Sequence, residues 1–183
     1  MYVKYHTEGF VIRKENTGEN DASYLVYTAD FGLIRARARA VREERSRMRY
    51  ALQECARVRI SLVRGTRGWR MAGAHAESSA LTGEALCAYA RVLSLVERLA
   101  GEEANDTLFE SLERTRGLLE QAPEAWDTIE LLAVARVLHA LGYLSAESVG
   151  RALVLEDAAL AFAESEREAF LQMVNQALSG SHL

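Results

Sequence analysis

The sequence predicts an α+β fold in which a small five-stranded β-barrel is followed by an α-helical domain. In the first 76 residues, runs of β-branched and aromatic residues alternate with short turn segments at regular spacing, a pattern typical of a small barrel. From about residue 84 onward, apolar residues recur at helical spacing instead. We therefore expect two domains, residues 1–78 and residues 79–183.

The predicted strands are bounded by turn chemistry. The sequence GTRG at residues 65–68 is typical of a β-hairpin turn, and ADFG at residues 29–32 makes another tight reversal. The expected strands are residues 5–14, 22–28, 33–41, 56–64 and 69–76.

The helical part carries clear start and stop signals. Asn105 and Ser145 are predicted N-caps, and Pro123 stands at a predicted first helical position. The expected helices are residues 84–100, residues 105–120, residues 123–141, a short one after Ser145, and residues 166–178 capped by Ser165.

Arginine is concentrated between residues 35 and 70. In residues 33–41 (LIRARARAV), Arg35, Arg37 and Arg39 alternate with alanines and share one face of the strand. In residues 56–64 (ARVRISLVR), Arg57, Arg59 and Ser61 share one face and apolar residues line the other. We expect both rows to lie on one cationic barrel face, with residues 42–50 between them. Guanidinium groups match phosphate oxygens bidentately, which predicts a nucleic-acid partner. The candidate contact residues are Arg35, Arg37, Arg39, Arg42, Arg45, Arg47, Arg49, Arg57, Arg59, Arg64, Arg67, Trp69 and Arg70.

The charge of the whole chain hides this cationic region. The net charge is −4, which alone argues against a nucleic-acid partner. Residues 1–76, however, hold 15 basic and 8 acidic residues, whereas residues 77–183 hold 7 and 18. Such an asymmetry indicates two regions with different partners. For Trp69, a base-stacking role and a core role are equally compatible with the sequence.

No catalytic or metal-binding pattern is present in the sequence. The four histidines are scattered, and there is no nucleophile elbow, Walker A motif or dinucleotide fingerprint. Cys55 and Cys87 are isolated, which predicts two thiols in a reducing cytoplasm, with neither a disulfide framework nor a zinc site. No apolar run approaches the ~20 residues needed to span a bilayer. We expect no enzyme activity, no cofactor and no membrane partner.

Several segments, in this order and spacing, resemble the RecO family of recombination mediator proteins. The resemblance covers roughly residues 5–145. Its motifs are EGFVI at residues 8–12, GEND at 18–21, YTADFGLI at 27–34, the basic stretch ending near 46–49, the helix at 109–119, and LHALGYL at 138–144.

The resemblance implies an N-terminal OB-fold followed by a helical domain. It also implies binding to single- and double-stranded DNA, annealing of complementary strands, and work with single-strand-binding protein and RecR to load RecA during DNA repair. The expected location is the bacterial cytoplasm and nucleoid. Many relatives carry a four-cysteine zinc element after L-G-Y, but this chain has no cysteine there, so we expect no zinc.

The resemblance further implies that the helical domain receives the acidic C-terminal tail of single-strand-binding protein. A cationic OB-fold also suits RNA, so an RNA-binding or translation-associated factor is the alternative. A small metal-dependent nuclease is a third hypothesis. The arginines available to bind an acidic tail are Arg91, Arg98, Arg114, Arg116, Arg136, Arg151 and Arg167.

Overall fold

The computed structural model describes residues 3–77, 80–153, 161 and 163–180. The chain divides into two compact units: Met1–Ala80 with Ala100–Ala104, and Leu81–Leu99 with Asn105–Leu183. The domain boundary predicted from the sequence, between residues 78 and 79, assigned Ala100–Ala104 to the second domain, whereas this segment packs with the first unit. Among the described residues, no helix combines the length and the apolar character needed to cross a bilayer.

The first unit contains a closed β-barrel, which confirms the predicted fold class. Its strand order is β1-β2-β3-β5-β4, and β1 also pairs with β4 to close the barrel. All neighbours are antiparallel except β3 and β5, which pair in parallel through Ala36↔Trp69 and Arg37↔Arg70. The strands are β1 Lys4–Asn16, β2 Ala22–Thr28, β3 Gly32–Ala38, β4 Arg57–Gly65 and β5 Gly68–Ala76, and a short helix α1, Met48–Ala51, precedes β4.

Alternating burial along β3 separates the barrel core from the arginine row. Ile34, Ala36 and Ala38 are buried, whereas Arg35 and Arg37 are exposed. This is the period-two arrangement that the sequence predicts. The strand therefore presents charge outward while its small inward residues leave room in the core.

Tyr24 of β2 lies entirely inside the barrel, with no exposed surface. Its hydroxyl has no hydrogen-bond partner among the described residues. Burial raises the pKa of Tyr24 above its ordinary value, because the charged phenolate is poorly solvated there. The desolvation of the Tyr24 hydroxyl is therefore uncompensated.

The turn before β3 anchors the segment Ala100–Ala104 to the barrel. Gly32 has a positive φ of 59°, and a Cβ built there would lie 2.3 Å from the carbonyl oxygen of Glu103. The Leu33 N–H donates to the carbonyl oxygen of Gly101 at 3.0 Å. Only glycine fits this close backbone approach without a shift.

The second unit is helical, as predicted. Asn105 and Ser145 act as N-caps: their side-chain oxygens accept hydrogen bonds from the N–H groups of Leu108 and Ser148. The helix predicted over residues 166–178 is present and begins at Arg167, and the capping role of Ser165 stays a prediction. The helices are α2 Gly83–Leu99, α3 Asp106–Gln121, α4 Trp126–Ala140, α5 Ala146–Val149 and α6 Arg167–Gly180, with 3₁₀ turns at Pro123–Ala125 and Gly150–Leu153.

A bidentate ion pair links two of these helices. Arg91 Nε and a terminal guanidinium nitrogen of Arg91 each donate to Glu130, both at 2.6 Å. Hydrogen bonding to that carboxylate raises the pKa of Arg91. The same guanidinium lies 5.7 Å from the ring centroid of Trp126. Arg91 is therefore engaged in structural contacts within the second unit.

Candidate nucleic-acid interface

Four arginines from three chain segments line one cavity on the barrel. Arg37 on β3 and Arg70 on β5 are register partners across the parallel strand pair. Arg39 follows the end of β3, and Arg67 lies in the two-residue turn between β4 and β5. We call this surface the arginine groove. Its volume is about 450 Å³, and it is lined by Asp21, Arg37, Arg39, Gly65, Thr66, Arg67, Gly68, Trp69 and Arg70.

Most of the positive charge in the arginine groove is uncompensated. All four arginines are exposed. Arg37, Arg39 and Arg67 make no ion pair with any residue in the described part of the chain. The single carboxylate there, Asp21, accepts a hydrogen bond from the Ala40 N–H at 2.9 Å. The groove therefore attracts anions.

Trp69 borders the groove and belongs to an aromatic cluster. Its ring centroid lies 5.5 Å from that of Tyr5 and 4.9 Å from that of Phe31. The Arg64 guanidinium lies 5.2 Å from the Trp69 ring centroid, within cation–π range. All three rings are half-buried against the barrel core. Trp69 therefore combines core packing with a position at the candidate interface, the two roles that its sequence context had suggested.

A second cavity also has Trp69 in its lining. We call it the aromatic pocket; its volume is about 420 Å³. Arg35, one of its two arginines, pairs with Glu15 at 2.6 Å. The lining residues are Asp30, Phe31, Leu33, Ile34, Arg35, Arg64, Gly68, Trp69 and Glu102.

Arg57 and Arg59 do not share the face of the β3 arginines, so that part of the sequence-based expectation is wrong. In the barrel β5 stands between β3 and β4. Arg59 pairs with His75, five positions along β5 from Arg70, which is about 17 Å at the usual rise per residue.

Both arginines are instead held by carboxylates. Arg57 contacts Glu8 at 2.6 Å, and Arg59 contacts Glu8 at 3.4 Å and Glu77 at 3.2 Å. The alternation of residue types predicted their outward direction. It carried no signal for the glutamate opposite them on β1.

The basic segment before α1 is mostly turn structure. A terminal nitrogen of Arg42 donates to the carbonyl oxygen of Gly18 at 2.9 Å, and Arg45 and Arg47 are exposed. Arg49 stacks on Tyr50, with its guanidinium carbon 5.0 Å from the ring centroid. Tyr50 is 67% exposed and was not among the predicted contact residues. Its place within an arginine-rich run was the available signal.

Within the described residues, no group of three or more His, Cys, Asp or Glu side chains is arranged to hold a metal ion. Cys55 is buried and Cys87 is exposed, and both are free thiols. The expected absence of bound zinc stays a prediction.

A closed five-stranded barrel of this strand order, carrying arginines on its outer surface, defines an OB-fold of the nucleic-acid-binding class. The model of the family described as Recombination protein O N terminal matches residues 1–70. This match confirms the resemblance to the RecO family. Residues 1–70 are therefore similar to the N-terminal domain of a family of recombination proteins.

Proposed function

We propose that this protein is a non-enzymatic mediator of recombinational repair that binds DNA in the arginine groove. The observation that carries the proposal is the convergence of Arg37, Arg39, Arg67 and Arg70 on one cavity in a RecO N-terminal domain. The proposed functional domain is residues 1–78. Annealing of complementary strands, cooperation with RecR, and help in loading RecA in the bacterial cytoplasm follow from the family resemblance.

The groove suits contacts to the sugar-phosphate backbone. Each guanidinium donates hydrogen bonds in a planar fork that matches a phosphate, and such contacts position a strand without reading its bases. Charge neutralisation also lowers the repulsion between two strands that are brought together. A protein that binds backbones and leaves most bases exposed favours annealing.

The proposal is tested by titrating the intact protein with a fluorescent single-stranded oligothymidylate at several salt concentrations. Affinity should fall steeply with salt because bound counterions are released from the phosphates. Competition with RNA of the same sequence separates the DNA mediator from an RNA-binding factor. Cleavage of the oligonucleotide in magnesium would indicate a nuclease. Salt-independent binding, or no binding, would contradict the proposal.

The second unit is the proposed receptor for the acidic tail of single-strand-binding protein. Arg91, Arg116 and Arg167 already contact Glu130, Glu120 and Asp127. The Arg151 side chain lies outside the described part. Arg114 is exposed and also pairs with a carboxylate, that of Glu110, but at the longer distance of 3.7 Å.

Arg114 also lines a cavity of about 220 Å³ with Thr107, Glu110, Ser111, Arg136, His139 and Leu153. We place the carboxylates of the tail at this cavity. The Arg114→Ala variant should bind a tail peptide several-fold more weakly in calorimetry, whereas Arg98→Ala, outside the cavity lining, should bind it normally. Equal binding by both variants would exclude this location.

A further inference from the structure

The two cavities beside Trp69 differ in charge. The arginine groove is lined by four arginines and one aspartate. The aromatic pocket is lined by two arginines and two carboxylates, Asp30 and Glu102, so its formal charge is zero. A phosphate is therefore attracted electrostatically to the arginine groove, whereas the aromatic pocket offers it no net electrostatic attraction.

The lining of the aromatic pocket suits a flat, uncharged ligand. Phe31, Leu33, Ile34 and Trp69 supply apolar surface, and Arg64 is stacked on the Trp69 ring. Stacking between a base and an aromatic ring or guanidinium plane is a common way to hold an unpaired base. Asp30 and Glu102 are exposed, and neither has an ion-pair partner among the described residues. They are therefore available to accept hydrogen bonds from a ligand.

We propose that the aromatic pocket binds one unpaired nucleobase of the strand held in the arginine groove, and that Asp30 and Glu102 favour guanine. This inference rests on the proposed function. The Watson–Crick edge of guanine has two adjacent donors, N1–H and the N2 amine, which carboxylates accept. Thymine offers one N–H between two carbonyl oxygens, and those oxygens are repelled by carboxylates.

One of the two carboxylates sits on a firmly anchored segment. Glu102 is flanked by Gly101, which accepts from the Leu33 N–H, and by Glu103, whose carbonyl packs on Gly32. On the other side, Thr28 Oγ1 accepts from the Phe31 N–H at 3.1 Å and fixes the turn that carries Asp30. These backbone contacts lower the ordering cost of binding a base.

The test compares two single-stranded oligonucleotides of equal length, one of thymine alone and one of alternating guanine and thymine. Fluorescence anisotropy is measured with the wild type and with the isosteric double variant Asp30→Asn, Glu102→Gln. The wild type should bind the guanine-containing strand about fivefold more tightly, the lower end of one bidentate base contact. The double variant should lose this preference and bind oligothymidylate as well as the wild type or better.

Equal wild-type affinity for the two strands would overturn the inference. So would a variant that binds both strands more tightly by the same factor, because the carboxylates would then act only by repelling phosphate. The Arg37→Gln variant separates this failure from a failure of the proposed function. If oligothymidylate binding does not weaken in that variant, the arginine groove is not the DNA site.

Discussion

Arg37 on β3 and Arg70 on β5 stand side by side in the barrel, as register partners of its parallel strand pair. Like charges opposite each other in a sheet are destabilising, by roughly 0.2–1 kcal/mol. An anion that binds between them offsets this repulsion. The Arg37–Arg70 pair therefore slightly lowers the stability of the free barrel and raises its affinity for an anion.

The first prediction follows from that repulsion. In the absence of nucleic acid, Arg37→Gln should unfold at the same denaturant concentration as the wild type or at a slightly higher one. Its free energy of unfolding should be higher by up to about 1 kcal/mol. The same variant should bind oligothymidylate more weakly. Urea unfolding and anisotropy on one preparation measure both effects. A variant that is less stable and binds normally would contradict this account.

The second prediction concerns the salt dependence of binding. Arg37→Ala with Arg39→Ala removes two guanidinium groups that have no described ion-pair partner. The slope of log K against log salt should therefore flatten by about 1.4, or 0.7 for each phosphate contact on single strands. Adding Arg35→Ala should change the slope little, because Arg35 is paired with Glu15.

The matched control for this measurement is Arg57→Ala with Arg59→Ala. These two arginines are neutralised by Glu8 and Glu77 and lie away from the arginine groove. Their removal should leave the slope unchanged. A slope that flattens equally in both double variants would indicate a diffuse charge effect over the whole barrel.

The third prediction concerns Gly32. Gly32→Ala should lower the free energy of unfolding by about 1–3 kcal/mol through the strained positive φ alone. The clash of the added Cβ with Glu103 should lower it further. Gly18→Ala is the control, because Gly18 has a positive φ of 98° but nothing within 4 Å of a built Cβ. Thermal unfolding should show the larger loss for Gly32→Ala. Equal losses would mean that the contact with Glu103 contributes nothing.

The fourth prediction concerns the buried Tyr24 hydroxyl. Tyr24→Phe should leave stability unchanged or raise it by up to about 1–3 kcal/mol, because it removes an uncompensated polar atom. The raised pKa of Tyr24 means that the folded state holds this proton more tightly than the unfolded state.

This difference in proton affinity stabilises the folded state fully below the ordinary pKa of 10.0, and the stability is lost as pH rises toward the folded-state pKa. Tyr24→Phe should therefore lose less stability than the wild type above pH 10. Urea unfolding at neutral and alkaline pH measures it, and identical pH profiles would contradict it.

Local patterns predicted most of the fold because they depend on neighbouring residues. Alternation placed Arg35 and Arg37 outside the barrel, and the cap chemistry of Asn105 fixed the start of α3. Long-range pairing left no comparable signal. Nothing near Arg59 in the sequence indicates that it pairs with Glu8. Nothing near Trp69 indicates that its strand pairs with β3.

The same limit applies to the candidate site. Alternation along each strand predicted which arginine side chains face solvent. The order of the strands in the barrel decides which of these side chains lie close together. The sequence therefore predicted a cationic barrel correctly and gave no warning that Glu102 would border it. The distribution of charge around Trp69 became visible only in three dimensions.

The anchoring of Ala100–Ala104 on the β2–β3 turn has a consequence for synthesis of the chain. Residues 81–99, which belong to the other unit, are made before this segment. On the ribosome the barrel therefore cannot complete its contacts when its last strand emerges. It must wait until α2 has been synthesised and residue 104 has left the exit tunnel. A nascent chain arrested when β5 has emerged but residues 100–104 have not should therefore be more sensitive to protease than a longer one from which residue 104 has emerged.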